Sequence, residues 1–175
     1  MLIRSASTAD EADASACAAI YAPYVTDTSI SFEVEPPTVA QMLERIRDAQ
    51  PRYAWIVAEL DGVIVGYAYG HSFAPRAAYR WSCESSIYIA ADRRRTGIGS
   101  QLYRALLDQL AGRGYRTVLA GVTMPNAASD RLHRSLGFTE AGLYRRVGYK
   151  HSAWHDVAWY QRDLGPLDDP PTEPH

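Results

Sequence analysis

The sequence predicts one α+β domain built around a mixed, mostly antiparallel β-sheet, and three observations lead to this fold class. Two β-rich runs, Tyr53–Leu60 and Val63–Tyr69, are separated by Asp61-Gly62, a dipeptide typical of tight antiparallel hairpins. Two later apolar runs, Trp81–Ile89 and Thr117–Val122, flank a segment with helical periodicity, so we expect neighbouring parallel strands joined by a right-handed crossover. The chain of 175 residues, 47% of them hydrophobic, is long enough to bury one core without disulfides.

The N-terminal third is expected to supply an edge strand and two helices. Leu2–Ser5 is the strand, and Thr8–Glu11 has the form of a capping box that starts the first helix, which Pro23 should end. Thr38–Gln41 is a second capping box, and it precedes an apolar stripe at helical spacing that Pro51 closes. Residues 26–37 between the two helices are expected to form a loop.

The remaining elements follow the hairpin and complete the domain. We expect two further helices and two last strands, in the order helix Gln101–Arg113, a helix that starts at Asn126 and ends near Gly137, strand Leu143–Val147 and strand Ala153–Arg162. Residues 1–165 then form the single domain. The tail 166–175 is rich in proline, and we expect it to be disordered.

Composition excludes several classes of protein. A net charge of −2 argues against nucleic-acid binding, which needs a broad basic surface. Cys17 and Cys83 lie far apart without C-x-x-C spacing, so neither a disulfide framework nor a zinc site is expected, and a reducing cytoplasm suits them. No apolar run approaches the ~20 residues that span a bilayer. The expected partner is a small molecule.

The turn at residues 93–100 is the strongest candidate for a binding site. Three consecutive arginines and the glycines Gly97 and Gly99 stand between a strand and a helix. Backbone N–H groups at a helix N-terminus attract anions, glycine lets a phosphate approach, and arginine adds charged donors. The turn lacks the lysine of an NTPase loop and the third glycine of a dinucleotide fingerprint. The plain alternative is a glycine turn with solvated arginines.

Two motifs resemble the GNAT superfamily of N-acetyltransferases. Arg94-x-x-Gly97-x-Gly99 is similar to the R/Q-x-x-G-x-G/A loop of that superfamily, and the segment Pro125–Phe138 resembles the region that closes its cofactor site. Residues 2–164 resemble in particular the phosphinothricin N-acetyltransferases and their relatives. The resemblance implies a GNAT-type central mixed sheet flanked by about four helices, acetyl-CoA as co-substrate, no metal, and a homodimer, for which the aromatic C-terminal strands offer a surface.

The resemblance also implies the cofactor contacts. The pantetheine arm would pair with the backbone of Ile87, Tyr88 and Ile89, because its two amides can mimic a strand. Asn126 would hydrogen-bond the pantetheine or thioester region, although a plain helix cap explains it nearly as well. The pyrophosphate would be held by the turn residues Arg94, Arg95, Thr96, Gly97, Ile98, Gly99 and Ser100.

Three residues are candidates for the chemistry. Glu84 is the expected base, acting directly or through a water, since it precedes the cofactor turn in a strand where burial could raise its pKa. His133 stands where many superfamily members have a tyrosine that protonates the leaving thiolate, and Tyr103 is an alternative acid or substrate donor. The alternatives are a solvated glutamate, a structural histidine and a core tyrosine.

The acceptor is expected to be the α-amine of a small amino-acid analogue. Phe32, Arg76 and Tyr79 occupy positions that resemble the substrate pocket of the family, and arginine suits a phosphinate or carboxylate. Ala74 stands where phosphinothricin-specific members carry lysine, so methionine sulfoximine and methionine sulfone are candidates beside phosphinothricin. A protein or peptide amine remains an alternative acceptor, and a non-catalytic acyl-CoA-sensing or partner-binding module an alternative function.

Overall fold

The structure, a computed structural model, describes residues 1–94, 96–166 and 172–175. Its seven strands are β1 (Leu2–Ser5), β2 (Trp55–Leu60), β3 (Val63–Ser72), β4 (Ser82–Ile89), β5 (Thr117–Met124), β6 (Thr139–Lys150) and β7 (Ala153–Asp163). Its four α-helices are α1 (Ala12–Thr26), α2 (Val39–Ala49), α3 (Ile98–Gly112) and α4 (Ala127–Ser135). The described strands form one sheet in the order β1-β2-β3-β4-β5-β7-β6. The predicted α+β fold with a mixed, mostly antiparallel sheet and four helices is confirmed.

The parallel pair predicted from the strand–helix–strand unit is present, and it is short. β4 and β5 pair from Ser82↔Thr117 to Glu84↔Leu119, which is three residue pairs. The other neighbouring strands in the described sheet run antiparallel. Beyond Glu84 the two parallel strands separate, and this separation positions the candidate site.

Local sequence signals explain several boundaries. Thr38 caps α2 as predicted: its hydroxyl accepts from Gln41 N, and the Gln41 side chain accepts from Thr38 N. Asp61 and Gly62 adopt φ values of 53° and 78°, the left-handed pair that a two-residue hairpin turn requires.

The first helix differs from its prediction at both ends. Thr8 does not cap α1, which begins at Ala12 after Asp10 Oδ1 accepts from Ala12 N. Pro23 lies inside the helix, which continues to Thr26. The missing N–H of Pro23 removes one hydrogen bond, but the extra turn buries Tyr24 and Val25 against the sheet, and that burial offsets the loss.

Helices cover both faces of the sheet. Helix α3 packs Leu102, Leu106 and Leu110 against one face. Helices α1 and α2 pack against the other face, where Trp55 and Tyr67 stack with ring centroids 5.3 Å apart. The amphipathic periodicities of the helices therefore direct their apolar stripes to a two-sided core.

The C-terminal segment returns to the start of β4. Trp81 Nε1 donates to Thr172 O at 2.8 Å, and Arg80 forms an ion pair with Glu173 at 2.8 Å. The expected boundary at residue 165 and the expected disorder of the tail stay predictions, and residues 167–171 lie outside the described residues.

Candidate active site

A cleft opens where β4 and β5 separate. Its walls come from residues 85–88 of β4 and 120–123 of β5, and Ile30, Asn126, Ser129 and His133 complete its lining. The cleft has an empty volume of about 410 Å³. Because pairing with β5 stops at Glu84, the following residues of β4 carry backbone groups that β5 does not satisfy.

The strand geometry decides which of these backbone groups face the cleft. Ala90 N donates to Val65 O, so the peptide groups of Ala90 point toward β3. Alternation along the strand directs those of Tyr88 toward β3 as well, and those of Ile87 and Ile89 toward the side that β5 has left. Of the three residues predicted to pair with pantetheine, Ile87 and Ile89 thus face the cleft.

The basic turn enters α3 earlier than its sequence indicates. Helix α3 begins at Ile98, so Gly99 and Ser100 lie in its first turn, where backbone N–H groups have no partner within the helix. Gly97 is the N-cap with φ 84°, a left-handed conformation that favours glycine. Thr96 Oγ1 donates to Arg93 O at 2.7 Å, and this hydrogen bond stabilises the turn. Arg95 lies outside the described residues.

Glu84 stands at the last residue pair before the cleft. Burial raises the pKa of its carboxyl to about 7, although the side chain keeps 25% of its exposure. His71 lies opposite on β3, and burial lowers its pKa. Glu84 is therefore placed to bind and release a proton near neutral pH.

A buried hydrogen-bond chain runs from α4 to β4. His133 Nδ1 lies 2.8 Å from Ser129 O, and because a carbonyl only accepts, Nδ1 carries the proton of the neutral ring. His133 Nε2 then accepts from the Tyr103 hydroxyl at 3.1 Å. Tyr103 OH lies 2.8 Å from Ser85 Oγ. Burial lowers the pKa of His133 and raises that of Tyr103. His133 and Ser85 line the cleft, whereas Tyr103 is fully buried behind them.

Asn126 caps a helix at the edge of the cleft. Its side chain accepts from Ser129 N at 3.1 Å and so caps α4. It also lines the cleft beside Ser129.

The three predicted substrate residues lie on exposed segments. Phe32 packs on Gly148 of β6, where an added Cβ would overlap its ring. Tyr79 contacts Phe73 edge-on with centroids 5.6 Å apart. Arg76 is exposed at the start of the turn Ala77–Tyr79.

The loop that carries Phe32 is tied to the end of β6. Buried Lys150 donates from Nζ to Val25 O at 2.6 Å and to Ser31 O at 2.7 Å. Arg45 of α2 forms a two-pronged ion pair with Glu33 in the same loop. These contacts fix the loop, whose Ile30 lines the cleft.

Sequence reasoning missed several of these residues. His71, Ser85 and Lys150 carried no motif, because their partners are distant in sequence and only the register of the sheet brings them together. Tyr24 was missed because Pro23 was expected to end the helix.

The described residues offer neither a metal site nor a membrane-spanning helix. They contain no group of three or more His, Cys, Asp or Glu placed to hold a metal ion. No helix in the described ranges is long and apolar enough to cross a membrane.

Known proteins share both the sequence and the fold. Phosphinothricin N-acetyltransferase of Streptomyces viridochromogenes is 40% identical over 156 residues, which are 89% of this chain and 85% of that protein. An L-methionine sulfoximine/L-methionine sulfone acetyltransferase of Pseudomonas paraeruginosa is 32% identical over 163 residues, covering 91% of this chain and 94% of that protein.

A solved structure agrees with this similarity. The phosphinothricin acetyltransferase of Sinorhizobium meliloti in complex with acetyl-CoA superposes with a TM-score of 0.89 at 34% identity, covering 99% of this chain and 92% of that chain. The model of the acetyltransferase (GNAT) family matches residues 17–138. With a cleft between diverging parallel strands, a basic glycine turn at the start of α3 and these relatives, the chain belongs to the GNAT family and is an acetyl-CoA-dependent acyltransferase.

Proposed function

We propose that this protein transfers the acetyl group of acetyl-CoA directly to the α-amine of a small amino-acid analogue of the phosphinothricin, methionine sulfoximine or methionine sulfone type. The observation that carries the proposal is Glu84, whose carboxyl pKa is raised by burial to about 7 and which directly precedes the residues of β4 that line the cleft. The named activities of the relatives support this substrate class.

Glu84 begins the reaction by removing a proton from the acceptor ammonium, directly or through a water. Acetyl-CoA supplies the activated thioester. The freed amine attacks the thioester carbonyl, so that a C–N bond forms and the C–S bond breaks with its electron pair leaving on sulfur. The attacking nitrogen gives up a second proton, which the thiolate takes to leave as the CoA thiol. No covalent acyl-enzyme is formed, and the proton taken by Glu84 passes to solvent.

The turn before α3 is proposed to hold the pyrophosphate. The free N–H groups of the first helical turn supply donors, and Arg94 supplies charge. The backbone groups of Ile87 are proposed to pair with the pantetheine amides, since β5 leaves them unsatisfied. Asn126 is proposed to contact the thioester end of the same arm.

His133 and Tyr103 are proposed to act on the leaving group through one hydrogen-bond chain that ends at Ser85. A hydrogen bond from this chain to sulfur stabilises the developing thiolate. Neutral His133 already donates its N–H to Ser129 O, and the Tyr103 hydroxyl donates to His133 Nε2. The Ser85 hydroxyl, which lines the cleft, is therefore the donor of this chain that can turn toward the sulfur.

The acceptor is proposed to bind between the loop carrying Phe32 and the segment carrying Arg76 and Tyr79. Arg76 suits an anionic or strongly polar group, while the two aromatic rings suit the aliphatic body of the molecule. Ala74 supplies no second cation beside Arg76, which favours the sulfoximine and the sulfone, whose one anionic group is the carboxylate, over phosphinothricin, which carries a phosphinate as well.

The experiment is an assay of free CoA thiol with phosphinothricin, methionine sulfoximine, methionine sulfone and the ordinary amino acids as acceptors. We expect release that depends on acceptor, with the highest kcat/KM for the sulfoximine or sulfone. Absence of release with the whole panel, in protein that binds CoA, would leave a peptide amine or a non-catalytic acyl-CoA sensor as the function.

We further propose that two copies associate through β6 and β7. Tyr144, Val147, Tyr149 and Trp154 are each more than half exposed on these strands, and the rings of Tyr149 and Trp154 lie 5.2 Å apart. Cys17 and Cys83 are buried free thiols, which supports a cytoplasmic location.

A further inference from the structure

The Tyr24 hydroxyl forms hydrogen bonds with both the C=O and the N–H of Ile89. Its OH donates to Ile89 O at 2.6 Å, and Ile89 N donates back to the same oxygen at 3.2 Å. Tyr24 is 7% exposed and lies in the last turn of α1. The two residues are 65 positions apart in the chain, so this contact is made by the tertiary fold alone.

Ile89 needs such a partner because its strand neighbour has left. Its peptide groups face the side of β4 from which β5 separates after Glu84. A buried peptide group without a partner costs free energy, so a strand cannot simply end its pairing there. The Tyr24 hydroxyl replaces the missing strand at Ile89 and leaves the backbone of Ile87, two residues earlier, facing the cleft.

The ring of Tyr24 makes a second contact with the cofactor region. The Arg94 guanidinium lies over this ring, 4.8 Å from its centroid, in cation–π geometry. The ring of Tyr88 packs edge-on against the same ring at 5.1 Å. One side chain therefore contacts both the end of β4 and Arg94, the second of the three arginines in the turn that follows it.

We infer that Tyr24 is a positioning residue of the acetyl-CoA groove: its hydroxyl closes the strand-like part of the groove at Ile89, and its ring aims Arg94 at the pyrophosphate. The two functions belong to different atoms of one residue, so they are separable by substitution. The inference rests on acetyl-CoA binding in the cleft and is independent of which amine is acetylated.

Calorimetric titration of Tyr24→Phe and Tyr24→Leu with CoA and with 3′,5′-ADP, which lacks the pantetheine arm, separates the two functions. We expect Tyr24→Phe to weaken CoA binding by about tenfold and to leave 3′,5′-ADP binding unchanged, because the ring under Arg94 remains. Tyr24→Leu removes ring and hydroxyl and should weaken binding of both. The acetylation rate at saturating acetyl-CoA should stay within about twofold of the parent for Tyr24→Phe.

Tyr115→Phe is the matched control. Tyr115 is also buried, and its hydroxyl donates to a backbone carbonyl, Arg52 O, at 3.1 Å, away from the cleft. Tyr115→Phe should leave the affinities for CoA and for 3′,5′-ADP unchanged. The inference is overturned if Tyr24→Phe, folded by circular dichroism, binds CoA as tightly as the parent or loses CoA and 3′,5′-ADP affinity equally. A parent protein that binds neither ligand would instead contradict the cofactor site itself.

Discussion

Glu84 and His71 face each other across the β3–β4 ladder, with 3.9 Å between Glu84 Oε1 and His71 Nε2. His71 Nδ1 lies 3.2 Å from Ser72 O, so the ring proton sits on Nδ1 and the lone pair of Nε2 faces the carboxyl. Burial lowers the pKa of His71, which keeps the ring neutral at pH 7. The carboxyl thus has no cation opposite it on β3, and its raised pKa follows from burial alone.

Replacing Glu84 by glutamine should remove the base and preserve the cofactor site. We expect kcat to fall on the order of 10²–10⁴-fold while the dissociation constant for CoA stays unchanged. The parent needs the carboxylate form, which is populated above a pKa of about 7, so its kcat/KM should rise with pH through that value. An unchanged turnover in Glu84→Gln would remove Glu84 from the chemistry.

A cation placed at His71 should move this pH profile. Lysine at that position brings a positive charge toward the Glu84 carboxylate, and an opposite charge within ~4–6 Å lowers a carboxyl pKa by about one to three units. The acid limb of kcat/KM in His71→Lys should therefore shift to lower pH by about one unit or more. His71→Gln, which adds no charge, is the control. Identical profiles for the two variants would show that position 71 has no electrostatic link to the base.

Alanine substitutions at Gly97 and Gly99 should distinguish a loss of thermal stability from a loss of CoA affinity. Gly97→Ala forces a side chain into φ 84°, at a cost of roughly 1–2 kcal/mol, and should lower both thermal stability and CoA affinity. In Gly99→Ala the new Cβ would lie 3.7 Å from Ile89 Cγ1, an ordinary contact, so stability should hold while CoA affinity falls. Gly62→Ala imposes a similar strain at φ 78° in the distant hairpin, and it should cost stability alone. Calorimetry and thermal melts measure both quantities; full CoA affinity in Gly99→Ala would mean that no phosphate approaches that backbone.

Gly148→Ala should change acceptor binding without affecting the cofactor. The Cβ of alanine would occupy the space of the Phe32 ring, which must move. We expect the KM for the acceptor to rise several-fold and that for acetyl-CoA to stay constant. Gly142→Ala on the same strand has open space around its Cβ and serves as control. Equal kinetic constants in both variants would place Phe32 outside the acceptor pocket.

The proposed dimer depends on the exposed aromatic surface of β6 and β7. Trp154 is 61% exposed in the single chain. Trp154→Asp puts a charge in an apolar interface and should shift the light-scattering mass from two chains toward one at micromolar concentration. Val63→Asp, at a 62% exposed position on another strand, should leave the mass unchanged. A parent mass of one chain would contradict the dimer.

Much of the fold could be predicted because its signals are local. The Asp61-Gly62 turn and the Thr38 capping box each depend on residues within four positions of one another, and both form as their sequences indicate. Thr8 failed as a cap because Asp10 offers a closer acceptor to Ala12 N. Pro23 failed as a stop because long-range packing of Tyr24 outweighs the local loss, which a local pattern cannot show.

The candidate site was predictable in part for the same reason. The basic turn is a local motif, so its residues can be recognised from the sequence. The start of α3 at Ile98 is not visible in that motif. Glu84 meets His71 and Leu119, which are 13 and 35 residues away, through the register of the sheet, and His133 meets Tyr103, which is 30 residues away. Neither His71 nor the Ser85–Tyr103 link could therefore be read from the sequence. Gly97, rather than Gly99, has the left-handed backbone, a distinction that two neighbouring glycines do not reveal.

The short pairing between β4 and β5 also has a consequence for the stability and degradation of the protein in a cell. Only three residue pairs join the half-sheet β1–β4 to the half-sheet β5–β7. If acetyl-CoA pairs with the open backbone of β4 as proposed, the bound co-substrate takes the place of a strand between the two half-sheets. Ligand at 100 times its Kd adds about 2.7 kcal/mol to the free energy of unfolding. The abundance of this enzyme should therefore follow the metabolic supply of acetyl-CoA, with starved cells degrading it faster than fed ones.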